Sequence, residues 1–166
     1  MKLPELLEAL SAREVDYVLV GGPAVQLHGY LRSTFDIDLV LAMNDGNLSR
    51  FIEVAKQFKL VPAIPVPLDS LRDAAQIEQW HRDKGVLAFS LRETTVGGMV
   101  VNVLVRPEID FEHLRANAAH GELSGRQVPI AAIDDLLVMK RAANRGKDRL
   151  DIDALEKIKR GEDPNA

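Results

Sequence analysis

Among the residues of this sequence, the aspartates Asp36 and Asp38 have the side chains and the spacing best suited to form a reactive site. They precede an apolar run at residues 39–41, which is typical of a buried β-strand. Because residues two apart on a strand point to the same face, both carboxylates can reach one point and hold a divalent metal ion there. The alternative is one solvated acid beside one acid that caps a turn. As a metal site, the pair suits phosphoryl-group chemistry on a nucleotide.

A glycine pair, Gly21 and Gly22, precedes this strand. It follows apolar residues 17–20, which predict another buried strand, and it is followed by residues 23–28, which have helical composition with proline at an early position. Glycine lets the backbone approach an anion closely, and amides at a helix N-terminus donate hydrogen bonds to it. The alternative is a tight strand-to-helix turn, since the spacing matches neither a Walker loop nor a dinucleotide fingerprint. With the aspartates nearby, the pattern favours a phosphate site.

The string VLVGGPAVQLHGYLRSTFDIDLVL resembles the signature of the polymerase-β-like nucleotidyltransferase superfamily. In that family a Gly-Gly or Gly-Ser pair opens a helix, and a later strand carries Asp-x-Asp. The order of His28, Arg32, Thr34 and the aspartates more narrowly resembles the AbiEii-type and MenT-type nucleotidyltransferases of bacterial toxin–antitoxin and phage-defence systems. The resemblance implies that Arg32 binds triphosphate or braces the carboxylates, that Thr34 orients their strand, and that His28 supports the site.

The string AIDDLLVMKRAANRGKDRLDIDALEKI resembles the C-terminal element of the same family. The matching positions are Lys140, Lys147, Asp148 and Asp151. The resemblance implies that Lys140 contacts nucleotide phosphate, for which a compact ammonium charge is suited, and that the two aspartates serve the nucleotide site. The alternative is a solvated helical face.

Asn102 departs from the family pattern, which has a third carboxylate on a later strand. It occupies the acid position in the string formed by residues 101–104. An amide oxygen can ligate magnesium, but it carries no charge and is a poor proton acceptor. We therefore expect Asn102 at the catalytic centre with a weakened role. Glu93, Glu108 and Asp110 are nearby acids, and their spacing selects none of them as a substitute.

The chain has 166 residues, of which 46% are hydrophobic, and it has no cysteine. This length allows a sizeable core, so we expect one domain over residues 1–160 and a frayed tail at 161–166. The lack of cysteine excludes disulfides and thiol catalysis. An amphipathic N-terminal pattern, with no signal peptide and no membrane-length apolar run, predicts a cytoplasmic protein without a membrane partner. The net charge of −4 provides no broad basic field for nucleic acid.

The pattern along the whole chain predicts an α/β (α+β) structure, and the resemblance implies the nucleotidyltransferase fold: a mixed, twisted sheet with helices packed around it and a C-terminal helical element. Trp80 is expected to pack in the core, the alternative being a base-stacking platform. Prolines in residues 61–67 predict an extended connection rather than a central strand. The other predicted elements are helices at 46–60, 69–82, 132–145 and 147–160, a hairpin from 86–91 and 99–105, and a turn at 121–125.

These observations lead to the hypothesis of a Mg²⁺- or Mn²⁺-dependent nucleotidyltransferase that moves NMP from an NTP to an acceptor. The resemblance allows RNA, protein or a small molecule as acceptor, and it implies a cognate antitoxin as a further partner. The alternative is a nucleotide-binding or interaction protein with weakened catalysis, which Asn102 motivates.

Overall fold

The computed structural model describes all residues from Met1 to Ala166, and it contains one sheet surrounded by helices. The helices are α1 (Leu3–Ala12), α2 (Gly21–Leu27), α3 (Asp45–Gln57), α4 (Ala74–Lys84), α5 (Phe111–Asn117), α6 (Ile133–Ala143) and α7 (Asp148–Lys159), with a 3-10 helix (Leu68–Arg72) before α4. The strands are β1 (Tyr17–Val20), β2 (Asp36–Leu41), β3 (Val61–Pro62), β4 (Ala88–Arg92), β5 (Val100–Leu104), β6 (Ala119–Leu123) and β7 (Arg126–Ile130).

The sheet has seven strands in the order β3-β4-β5-β2-β1-β7-β6. Strand β2 lies near its centre, antiparallel to β1 and parallel to β5. The register places Asp38 opposite both Val20, the last residue of β1, and Asn102 of β5. The predicted mixed sheet is therefore confirmed, and its pairing brings the aspartate strand, the start of the glycine turn and Asn102 to one place.

Strand β2 has the alternation that the sequence predicted. Ile37 and Leu39 are fully buried in the hydrophobic core, whereas Asp36 is exposed and Asp38 is partly exposed on the opposite face. All four residues of β1 are buried, as expected of a strand covered on both faces. Burial of the odd-numbered residues of β2 therefore keeps both carboxylates on the same side.

Three segments depart from the sequence prediction by more than the trimming of an end. The segment predicted as helix 69–82 divides into the 3-10 helix and α4, because Asp73 ends the first and caps the second by accepting a hydrogen bond from the Gln76 amide. The proline-rich connection contributes β3 at the sheet edge. The predicted turn at 121–125 is shorter, because Gly121 belongs to β6 and packs beneath α2, where a Cβ would lie 3.2 Å from Leu27 Cβ.

The C-terminal helices α6 and α7 form as predicted and are separated by residues 144–147. Residues 161–166 contain no helix or strand. Within this tail the side chain of Asn165 accepts a hydrogen bond from the Leu31 amide at 2.8 Å and donates one to the Gly29 carbonyl at 3.0 Å. The tail therefore contacts the loop, residues 28–35, that connects α2 to β2. None of the helices has the length and apolar composition needed to cross a lipid bilayer.

The turn from β1 into α2 requires glycine at position 21. Gly21 has a φ of +64°, in the left-handed region that glycine adopts readily. A Cβ at this position would lie 2.1 Å from Oδ2 of Asp38, closer than two non-bonded heavy atoms can approach. The carboxylate of Asp38 thus occupies the space that any other residue at position 21 would need.

We expect Gly21→Ala to destabilise the protein more than Gly85→Ala does. Gly85 has nearly the same φ, +65°, but nothing lies within 4 Å of its added Cβ. Each change introduces backbone strain of about 1–2 kcal/mol, and Gly21→Ala adds overpacking of about 1–3 kcal/mol. Urea unfolding of the two variants measures the difference. Equal losses would show that Asp38 does not constrain the turn.

Candidate active site

A cleft of about 740 Å³ opens beside the carboxylate face of β2. It extends from the glycine turn across β2 and β5 to α6 and the start of α7. The structure brings nearly all of the sequence-predicted site residues to its wall: Gly21, Gly22, Arg32, Thr34, Asp36, Asp38, Asn102, Lys140, Lys147, Asp148 and Asp151.

His28 is the predicted site residue that does not line this cleft. It follows the last residue of α2, and its Nε2 lies 2.8 Å from the carbonyl oxygen of Ala131, between β7 and α6. This contact joins the end of α2 to the segment that leads into the Lys140 helix. The supporting role of His28 stays a prediction, and its geometry is that of a link between elements.

The carboxylates of Asp36 and Asp38 lie on the same side of β2, and their environments differ. Burial raises the pKa of Asp38 above its ordinary value, and the negative charge of Asp36 raises it further. A hydrogen bond from Asn102 Nδ2 to Asp38 Oδ1, 3.0 Å long, opposes this rise. Asp38 is therefore a desolvated carboxylate beside a second acid, an arrangement that a bound cation would stabilise.

Asn102 lies at the position predicted from its string, and both polar atoms of its amide form a hydrogen bond. Its Nδ2 donates to Asp38, and its Oδ1 accepts a hydrogen bond from Ser90 Oγ at 2.6 Å. Ser90 is directly opposite Asn102 in the register of β4 and β5. The amide thus bridges the aspartate strand and the hairpin, and its oxygen, the atom that could ligate a metal, is held by Ser90.

The aspartate pair fits a magnesium ion by the chemistry of its donors. No group of three or more histidine, cysteine or acidic side chains is arranged to hold a metal ion by itself. Magnesium usually binds one or two protein carboxylates and completes its octahedron with waters and substrate phosphates. Asp36 and Asp38 therefore match a metal ion whose remaining ligands come from a nucleotide.

A charged cluster on α6 and α7 forms another part of the cleft wall. Lys140 Nζ donates to Asp148 Oδ1 at 3.2 Å and to Asp151 Oδ2 at 2.8 Å, and all three side chains are at least nine-tenths buried. Burial by itself raises the pKa of Asp148, but hydrogen bonds from Arg145 and Lys140 outweigh it and lower this pKa overall. Asp148 is thus an ionised partner of cations, and Lys140 has one ammonium donor left beyond its contacts with the two aspartates.

Two arginines complete the charged cluster. Arg32 Nη1 donates to Asp151 Oδ2 at 2.6 Å, and Arg145 donates to both oxygens of Asp148, at 2.8 and 3.1 Å. Arg32 also lies against the glycine turn, because a Cβ on Gly22 would be 3.1 Å from its Nη1. The cluster therefore joins α6, α7 and the α2–β2 loop. The part of the cleft lined by Arg32, Lys140 and Asp151 is called the inner end.

Among the candidate substitutes for a third acid, Glu108 lines the cleft and is exposed. Glu93 instead accepts hydrogen bonds from the N-terminal amine of Met1 and from the Met99 amide. Asp110 caps α5. The places of these three acids in the structure therefore distinguish them, whereas their spacing in the sequence did not.

Sequence reasoning did not identify Ser90, Phe35 or Arg145 as site residues. Ser90 is recognisable once the hairpin register with Asn102 is known. Phe35 lines the cleft mouth and is 82% exposed. Trp80, in contrast, lies outside the cleft and stacks on Phe89 with 6.5 Å between ring centroids, in agreement with its predicted packing role.

We expect Asp38→Asn to stabilise the metal-free protein at neutral pH. Because folding raises the pKa of Asp38, its ionised form is disfavoured in the folded state, and stability is lost as pH rises through that pKa. Asparagine removes the charge and can still accept from Asn102. Thermal unfolding in EDTA over a pH series should show a higher midpoint than wild type at neutral pH and a shrinking difference on acidification.

The control for this measurement is Asp36→Asn, which removes a charge from an exposed side chain and should change the metal-free midpoint less. Magnesium with NTP should raise the midpoint of the wild-type protein but not that of Asp38→Asn. A lower midpoint for Asp38→Asn than for wild type in EDTA would contradict the assignment of Asp38 as a destabilising charge.

Comparisons with known proteins place this geometry in a known fold. No family model matches the sequence, and no curated protein is significantly similar to it. The crystal structure of ANT(2'')-Ia in complex with adenylyl-2''-tobramycin matches with a TM-score of 0.61 and 13% identity, over 96% of this chain and 87% of that one. The lincosamide antibiotic adenylyltransferase LnuA, with lincomycin bound, matches with a TM-score of 0.62 and 16% identity, over 94% and 95%.

An antigenic nucleotidyltransferase-like protein from Paracoccidioides brasiliensis also matches, with a TM-score of 0.51 and 20% identity, over 94% of this chain and 74% of that one. At these identities the likeness concerns the fold. The narrower resemblance to AbiEii-type and MenT-type proteins stays a prediction. The fold class predicted from the sequence is confirmed: the chain has the mixed α/β fold of the nucleotidyltransferases.

Proposed function

We propose that the protein transfers a nucleoside monophosphate from an NTP to a hydroxyl group of an acceptor, with Mg²⁺ or Mn²⁺ as cofactor. The observation that carries the proposal is the convergence of Asp36 and Asp38 with the Gly21–Gly22 turn at one cleft of the nucleotidyltransferase fold. When bound, the metal ion would supply positive charge beside the phosphate oxygens. The chain's own residues supply position and the remaining charge.

The inner end of the cleft suits the triphosphate. Gly21 and Gly22 have no side chains and let phosphate oxygens approach the backbone. Arg32 offers guanidinium donors, and Lys140 keeps one ammonium donor after its two aspartate contacts. Lys147 lines the cleft and forms no salt bridge, so its charge is available to the ligand. Catalysis would come mainly from alignment and charge neutralisation.

In the transfer step, a hydroxyl oxygen of the acceptor forms a bond to the α-phosphorus of the NTP. The bond from that phosphorus to the oxygen shared with the β-phosphate breaks, and pyrophosphate leaves with the electron pair. The hydroxyl proton passes to solvent or to a base. Asn102 cannot accept it efficiently because an amide is a poor proton acceptor.

The acceptor belongs to one of three classes: RNA ends, protein hydroxyls or small hydroxylated molecules. Two of the neighbours described above contain adenylyl-2''-tobramycin and lincomycin, which supports the small-molecule class. A toxin role with a cognate antitoxin rests on the narrower sequence resemblance alone.

The test of the proposal is transfer of α-labelled nucleotide from each of the four NTPs in the presence of magnesium or manganese. The acceptors are tRNA, protein, and aminoglycoside or lincosamide compounds, and a reaction with no added acceptor measures hydrolysis by water. Asp36→Ala plus Asp38→Ala should reduce transfer by at least about a hundredfold, because the metal site is lost. The matched control, Asp69→Ala plus Asp83→Ala, removes two exposed acids outside the cleft and should retain activity. Transfer that survives the Asp36 and Asp38 changes would refute the mechanism.

A second candidate function is nucleotide binding with weakened catalysis. The observation that favours it is Asn102, which faces Asp38 in the register at the position of the family's third carboxylate. The structure offers no carboxylate at that point on β5, and the amide is held by Ser90. A protein of this kind would bind NTP saturably and transfer it slowly or not at all.

We expect Asn102→Asp to raise the transfer rate by at least about tenfold, because it adds a carboxylate proton acceptor beside Asp38. It should also lower the metal-free thermal midpoint, since a like charge replaces a hydrogen-bond donor. Single-turnover kinetics with labelled NTP measures the first effect. Asn117→Asp, the same change at an exposed position on α5, is the control. A rate no faster than wild type would show that the missing carboxylate does not limit transfer.

A further inference from the structure

Phe35 is a large aromatic side chain that folding leaves in contact with water. It is 82% exposed, whereas Ile37, two residues further along the chain, is fully buried. Phe35 lines the cleft, and it is the one aromatic residue that does. An exposed apolar side chain at the mouth of a cleft is well placed to contact a ligand.

The position of Phe35 relative to the charged groups gives the cleft a direction. It precedes Asp36 directly, so the two Cα atoms are about 3.8 Å apart. Arg32, on the same loop, turns inward, where its guanidinium contacts Asp151 and lies against Gly22. The loop therefore carries a cation that packs among buried charges and, one residue before Asp36, an aromatic residue that lines the cleft and is exposed to solvent.

This arrangement matches the shape of an NTP, which is charged at one end and flat at the other. If phosphates occupy the inner end and the α-phosphate lies at Asp36 and Asp38, the nucleoside extends outward toward the rim. We propose that Phe35 is the stacking platform for the nucleobase. The inference rests on the proposed function and identifies a residue that the resemblance did not assign.

Stacking on Phe35 predicts affinity without base discrimination. Every nucleobase has a π-face, so a ring that stacks on it contributes similarly to all four nucleotides. Other apolar side chains that line the cleft, such as Leu87 and Leu104, add surface but no ring. Selection among bases would therefore not come from this contact.

Leu31 provides a matched control within the same loop. It is 80% exposed, nearly the same as Phe35, but it does not line the cleft. Truncating either side chain removes exposed apolar surface without opening the core. If Phe35→Ala weakens ligand binding and Leu31→Ala does not, the loss is therefore due to the place of Phe35 in the cleft and not to the removal of an exposed apolar side chain.

The experiment is calorimetric titration of the full chain, in magnesium, with non-hydrolysable analogues of ATP, GTP, CTP and UTP and with tripolyphosphate, which has no base. We expect Phe35→Ala to weaken binding of all four analogues by about tenfold and to leave tripolyphosphate within about twofold of wild type. Phe35→Trp should bind the analogues as well as wild type does. Leu31→Ala should bind all five ligands normally.

Equal weakening of tripolyphosphate and the analogues, or no weakening of either, would overturn the stacking role while leaving the proposed function intact. Reduced transfer in Phe35→Ala with unchanged nucleotide binding would also overturn it, since the ring would then contact the acceptor. Failure of the wild-type protein to bind any analogue would instead refute the proposed function itself. Thermal unfolding of each variant verifies that the fold is retained.

Discussion

The close packing of one carboxylate governs the geometry of this site. Asp38 lies against the backbone of Gly21, where no Cβ fits, and its other oxygen accepts a hydrogen bond from Asn102. The end of β1, the start of α2 and strand β5 are thereby held around a single desolvated charge. Burial and the neighbouring Asp36 make that charge unfavourable, and a cation would relieve it. The same carboxylate thus sets the local backbone and provides a negative charge that a bound cation would stabilise.

A second set of buried charges explains how distant parts of the chain meet at the cleft. Lys140 on α6 and Asp148 and Asp151 on α7 are held together, and Asp151 also binds Arg32 of the α2–β2 loop. Burying charged groups costs free energy, and the hydrogen bonds within the cluster offset that cost only while the groups keep this geometry, so the cluster fixes the relative positions of these elements. Asn165 adds two hydrogen bonds to the same loop. The C-terminal helices therefore hold the loop that carries Arg32.

Local patterns were sufficient to predict most elements, because alternation and helical periodicity report directly on which side of a strand or helix is buried. They were misleading where a residue type has two physical uses. Gly121 resembles a turn residue, yet it lies within β6, since the close approach of Leu27 on α2 leaves no room for a side chain. The acids Glu93, Glu108 and Asp110 were indistinguishable by spacing, and the structure separates them because only long-range packing decides which one faces the cleft.

The sequence by itself determined the strand that carries Asp36 and Asp38, the glycine turn before it, the asparagine in place of a third acid and the two C-terminal helices. Each of these follows from residue type and spacing within a short stretch or from resemblance to a family motif. The tertiary structure alone decided that Asn102 donates to Asp38 and is held by Ser90, that Lys140 is shared by two aspartates, and that Phe35 stands at the cleft mouth. These contacts join residues far apart in the chain, and their partners are set by strand register and helix packing, which no local pattern encodes.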